Sequence, residues 1–313
     1  MNYALLMLSV CLGSFKSVLS KASKNAERSS SDGMFNNSIV FAAALLLIFL
    51  LSAASLKTVF RGVPVYLSVL YGIATFASQF FLIQATGSGP VSLSTLFYSC
   101  NFLIPTVFGT AYYREPLHVL YFIGVALILT SFILIAGTGK DGKIGLKWTA
   151  YSLGGMCAAG IVGVIQKIFI NEYAASALNG FLIIAFAVIT AASLLLFAAL
   201  RRIAACRQPE SPAAVEACRQ PESPESGRNR IKKFFLQPLL GLDIGGQNIL
   251  NIYIVGVFPS AVSFPVMNGG VILMTAVISA VAFREKLTGR QTIAVAIGIA
   301  AIVCIGIGKL LIG

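Results

Sequence analysis

The chain has 313 residues, of which 57% are hydrophobic and 11% charged, with mean hydropathy +0.87 and a formal charge of +12. A soluble domain of this size carries about 25% charged residues, so a water-soluble globule is excluded and an integral helical membrane protein is expected. The positive charge sits mainly between apolar runs rather than in a basic-aromatic surface pattern, which excludes nucleic acid as a partner.

Windows of about twenty apolar residues predict roughly ten spans, near 3–21, 37–56, 63–84, 91–113, 117–137, 148–171, 176–200, 234–256, 260–283 and 290–311. The first lacks a basic leader and contains Lys16, so it reads as a membrane helix rather than a secretory signal. The fourth and fifth are joined by a polar hinge, Arg114-Glu115-Pro116. The ninth and tenth meet at Arg284-Glu285-Lys286. The sixth opens at Trp148, whose ring suits a membrane interface. Between the seventh and eighth lies a Pro-, Glu- and Ser-rich insertion, 203–230, in which CRQPESP occurs at 206–212 and again at 218–224; it is expected to be disordered.

Seventeen of the 23 Lys and Arg residues fall in the loops after the odd-numbered spans or at the span ends beside them. Those loops should face the cytoplasm, which would put both termini outside. Of the six cysteines, Cys11, Cys100, Cys157 and Cys304 lie in apolar runs and read as small core residues. None has CxxC spacing, and the single His118 has no partner motif, so no metal or other cofactor is expected.

The halves resemble each other. VCLGSFKSVLSKASKN stands opposite MCAAGIVGVIQKIFIN at an offset of 146, aligning Lys21 with Lys167. YGIATFASQF stands opposite LGLDIGGQNI at an offset of 169, aligning Gly72 with Gly241 and Gln79 with Asn248. The two charged hinges are 170 residues apart. Each half holds five spans, an odd number, so the second enters the membrane from the opposite side. The fold class expected is therefore all-α, about ten transmembrane helices in two inverted five-helix repeats, 1–138 and 148–313. Such duplications favour alternating access, with a site near the midplane.

The two five-helix halves, the pattern PTVFGTAYYREPL with Pro105 and Glu115, and its counterpart AFREKL with Glu285 resemble the drug/metabolite transporter superfamily, in its ten-helix form with paired EamA-type repeats. The ninth span departs from it, with Thr275 where Pro105 would recur. The resemblance implies a secondary carrier in the inner (cell) membrane, with a cavity lined by spans one, three, four, six, eight and nine. It also implies cytoplasmic termini, against the charge count.

Asp243 is the one acidic residue within a span, and a carboxylate at bilayer depth is a functional candidate. Asp243, Gln247 and Asn251 share a helix face; they line a cavity or form a polar stripe that holds helices together. Pro238, Gly241, Gly245 and Gly246 should interrupt that helix. Lys16 either snorkels to the interface or pairs with Asp243 across a cavity, where the two could hold a zwitterion or exchange a proton with substrate; both charges break the internal symmetry, standing opposite Val162 and Ala74. Ser17, Gln79, Tyr98, Asn101, Gln166, Asn248 and Asn268 complete the expected substrate-binding set, as ligand contacts or interhelical hydrogen bonds. Lys21 and Lys167 are expected to snorkel, or else to form anion-attracting gates at opposite mouths. Arg114, Glu115, Arg284 and Glu285 are expected to be structural, ending helices or pairing at the interface. The fifth and tenth spans, nearly all aliphatic and glycine, suit lipid or a homodimer contact.

The function expected is transport of a small polar metabolite, an amino-acid-like or other small organic solute, with proton-coupled export as one form. Phosphorylated or nucleotide-linked anions and lipophilic cations are the alternative cargoes. No Ser/His/Asp or Cys/His set, phosphate loop or metal cluster suggests an enzyme. A non-transport membrane scaffold is the remaining class.

Overall fold

The structure, a computed structural model, describes residues 2–24, 30–53, 59–89, 91–116, 118–136, 145–206, 224–282 and 289–312. These form α1 (Asn2–Lys24), α2 (Ser30–Leu51), α3 (Val65–Ser88), α4 (Val91–Ser99), α5 (Leu103–Tyr112), α6 (Val119–Ala136), α7 (Leu146–Glu172), α8 (Leu178–Cys206), α9 (Pro224–Val257), α10 (Ser260–Ala282) and α11 (Gly289–Ile312). Short 3-10 turns occupy Cys100–Phe102 and Ala175–Ala177, and there is no strand among the described residues. Five stretches, Gly33–Leu51, Val65–Ser88, Leu146–Glu172, Ala175–Ile203 and Ser260–Ile278, are long and apolar enough to cross a membrane, and Tyr3–Ser17, Val119–Leu134 and Thr292–Gly308 are shorter apolar stretches. By length and composition this is a multi-pass membrane protein.

Each expected span coincides with a helix, and the fourth is broken. Pro105 has no N–H to offer the carbonyl of Asn101, and its ring crowds that carbonyl. The chain tightens into a 3-10 turn at Cys100–Phe102, and Asn101 donates its side-chain amide to Tyr98 O at 2.8 Å. Helix α9, by contrast, runs unbroken through Pro238, contrary to the expectation that proline and glycines would interrupt it. Two of those glycines are contact points instead. A Cβ at Gly241 would collide with the carbonyl of Val40 and lie 2.6 Å from Ala43 Cβ; one at Gly245 would lie 3.0 Å from Leu47. They let α2 approach α9 closely. Gly72 plays the same part on α3, where a Cβ would lie 2.9 Å from Ala185 O and 2.8 Å from Val188 Cβ of α8.

The packing order follows from such contacts. Helix α3 lies along α7 and α8; α9 lies along α1 and α2; α2 pairs with α8, and α6 with α11. Helices α4 and α5 pack on α7, and α10 packs on α1. Two apolar clusters result. One joins Val40–Ala74 residues to Ile165–Ile252 residues, and the other joins Leu6, Val10, Phe102 and Phe132 to Ile254–Ile305 residues. Both draw on each end of the chain.

Helices α6 and α11 bury one face against each other: Ser131 donates to Ala294 O at 2.7 Å, and a Cβ at Gly124 would collide with Ile305. Their other faces, with Phe122, Ile133, Ile299 and Val303, are exposed. Three expectations need correction. Trp148 is buried at 3% exposure, its indole donating to Ser94 Oγ at 2.8 Å and its ring lying over Gly89, so it packs on the turn between α3 and α4. Cys11 and Cys157 are exposed on outer helix faces rather than in the core. The flanks of the insertion, 203–206 and 224–230, continue α8 and α9 as helix, and 207–223 lie outside the described residues.

Candidate functional site

The face of α9 bearing Asp243, Gln247 and Asn251 meets α1. Ser9 Oγ donates to Asn251 Oδ1 at 2.5 Å. One turn on, Gln247 Nε2 lies 2.5 Å from where a Cβ of Gly13 would be, so the amide rests on bare backbone. A further turn in the same register brings Lys16 and Ser17 to the level of Asp243. The antiparallel register of two straight helices produces this ladder, each rung about 6 Å from the next.

The rungs differ in how well they are satisfied. Asn251 has its partner. Ser17 Oγ donates to Gly13 O of its own helix at 2.9 Å. Asp243 is 9% exposed, and its Oδ2 has no hydrogen-bond partner. Buried polar atoms almost always find partners, so this oxygen is an acceptor held in reserve. Lys16, Ser17, Gln247 and Asn251 are half-buried.

A second group joins α3, α7 and α9. Tyr71 OH donates to Asn248 Oδ1 at 2.6 Å and accepts from Gln166 Nε2 at 3.0 Å, and Asn248 Nδ2 donates to Ile244 O at 2.8 Å. These three side chains are mutually satisfied, so Gln166 and Asn248 serve helix packing here. A third group lies on α3 and α4, where Gln79 Nε2 reaches Tyr98 OH at 3.5 Å. Asn268 donates to Phe264 O within α10 at 3.0 Å.

Sequence reading passed over several further buried groups. Tyr71, fully buried, is the hub of the second group. Thr75 Oγ1 on α3 and Thr275 Oγ1 on α10 are buried without partners. Val271 touches the Gly13 position, so the register of α10 along α1 brings Thr275 near Ser17 one turn later. The missing Pro at position 275 was the available signal: a hydroxyl stands there instead.

Lys167 does not snorkel. Its ammonium pairs with Glu115 Oε1 at 2.5 Å, the two side chains being 5% and 11% exposed, and it donates to Val255 O at 3.1 Å. Snorkelling fails because Glu115, 52 positions away in sequence, is carried to it by the packing of α5 on α7. Glu115 Oε2 accepts the backbone N–H of Ser260 at 2.7 Å. Glu115 therefore pairs as expected of an interface group, though not with Arg114, which is exposed and ends the helix in the left-handed region at φ 52°. Arg284 and Glu285 lie outside the described residues, as does the side chain of Lys21. Beside the pair is a cavity of about 390 Å³ lined by Tyr113, Asn171, Val257 and Phe258 among others. Tyr113 OH donates to Glu172 Oε1 at 3.0 Å; partial burial and that carboxylate push the phenol up to about 12. No cluster of three His, Cys, Asp or Glu able to hold a metal occurs among the described residues.

No family model and no curated protein matches the chain. A solved structure described only as "Crystal structure of protein" superposes with a TM-score of 0.73 over 99% of this chain and 98% of its own, at 14% sequence identity. A likeness at that identity extends to the fold alone.

Proposed function

We propose that the chain is a secondary carrier of a small polar solute, working by alternating access between two inverted five-helix repeats in the inner (cell) membrane. It would be a ten-helix member of the drug/metabolite transporter superfamily. The observation that carries the reading is Asp243: a carboxylate oxygen buried without a partner, at the level of Lys16 in the register of α9 along α1. Such an arrangement is costly unless a ligand or proton completes it. A solute with an ammonium group would satisfy Asp243, and a carboxylate on the same molecule would meet Lys16. Thr275, Ser17 and Gln247 offer further polar contacts.

Two features support the repeat. Gly72 packs on α8 at Ala185 and Val188 as Gly241 packs on α2 at Val40 and Ala43. The glycines are 169 residues apart, and their contact partners are both displaced by 145. The helix partners exchange in the same way: α3 on α7 matches α9 on α1, and α3 on α8 matches α9 on α2.

The test is a thermal-stability screen of purified protein against amino acids, polyamines, sugar phosphates and nucleotide sugars, since a ligand of the folded state raises its stability by mass action. A shift from one class, lost in Asp243→Asn and in Lys16→Met, is expected. A shift that survives both substitutions would remove the site, and no shift from any class would remove the small-solute carrier.

A further inference from the structure

Helices α3, α4, α5 and α7 pack together as one body, and α1, α9 and α10 as another. Among the described residues the bodies meet through α7 on α9, α5 on α10 and the Tyr71–Asn248 bond between α3 and α9, and the α2–α8 pair bridges them by packing on α9 and α3. Helices α1 and α3 make no comparable contact. The α7 and α5 junctions both reach the turn between α9 and α10, at Val255 and at Ser260.

Helix ends explain why that turn can be gripped. The last carbonyls of α9 and the first N–H groups of α10 have no intrahelical partner. A cation suits the first and an anion the second. Lys167 takes the Val255 carbonyl and Glu115 takes the Ser260 N–H, while the two side chains, both from the first body, neutralise each other. Gly109 makes room: a Cβ there would lie 2.5 Å from Ser260 Cβ and 2.7 Å from Glu115 Oε2. The cavity beside the pair brings solvent to this end of the bundle.

We propose that the buried Lys167–Glu115 pair and the α9–α10 turn it grips form a latch that holds one mouth of the bundle shut. Opening that mouth breaks the two charge-assisted bonds to backbone, Lys167 to Val255 and Ser260 to Glu115, and the longer one from Thr106 Oγ1 to Ser260 O at 3.4 Å, while the ion pair travels intact with the first body. The ion pair itself is thus a preassembled hook rather than the bond that yields. The latch rests on the carrier reading for its purpose, and on geometry alone for its existence.

The experiment places spin labels at Ala111→Cys on α5 and Tyr253→Cys on α9, both exposed positions, in full-length protein whose six native cysteines are replaced. Pulsed electron resonance then reads the distance between bodies. The parent should give one dominant short distance. The double substitution Lys167→Met with Glu115→Leu removes both hooks without leaving a lone buried charge. It should lower the ratio of closed to open molecules at least about tenfold, a single charge-assisted hydrogen bond being worth that much. If this variant does not fold, Glu115→Gln gives the same readout, because it strands the Lys167 charge at the closed mouth. An unchanged distance in a folded variant overturns the latch, whatever the protein transports. A widened distance that no solute restores or alters supports the latch and counts against the carrier.

Discussion

Replacing Gly241 by alanine tests the packing that joins α9 to α2. The added Cβ would collide with the carbonyl of Val40 and sit 2.6 Å from Ala43 Cβ. Ordinary carbon contacts begin near 3.5 Å, so α2 must retreat by close to 1 Å. Backbone cannot yield as a side-chain tip can, because Val40 lies inside a continuous helix. Overpacking of this kind costs about 1–3 kcal/mol. Gly246, five positions along the same helix, is the matched control: nothing lies within 4 Å of its Cβ position. There alanine should be neutral or should stabilise by up to about 1 kcal/mol through helix propensity. Unfolding of the detergent-solubilised protein by increasing SDS, followed by circular dichroism, gives both values. Gly241→Ala should fall below wild type and Gly246→Ala should not. Equal effects at the two positions would refute the close approach of α2 and α9.

Further expectations concern individual side chains. Tyr71→Phe strands Gln166 and Asn248 and should cost about 1–3 kcal/mol in the same SDS assay. Tyr113 should hold its proton up to about pH 12. With its folded value above the usual phenol value, its contribution to stability is present below pH 10 and fades as pH rises towards 12. Difference ultraviolet titration of wild type against Tyr113→Phe reads that value, and Glu172→Gln should lower it.

The helices were legible because apolar runs of spanning length leave little else for the backbone to do. So was the shared face of Asp243, Gln247 and Asn251, since a spacing of four fixes it regardless of context. Ser9, which bonds Asn251 of that face, gave no sign, because serines are common in apolar helices and bond to any nearby turn. Gly241 and Gly245 misled because glycine weakens an isolated helix, and the compensating neighbour is supplied by α2. Lys167 misled for a similar reason. A lysine near a span end looks free to reach water, and only the tertiary fold brings Glu115 alongside. Trp148 carried the composition of an interface residue, but a hydroxyl at Ser94 satisfied its indole in the interior.

The mixed make-up of both apolar clusters bears on how this chain comes to exist in a membrane at all. Residues of the first five helical segments have no cluster of their own; each core is completed by residues that emerge from the ribosome much later. The early helices must therefore wait in lipid with Gly72 uncovered until α8 arrives. Two fragments divided within 137–144 should be unstable when made singly and should recover when synthesised together.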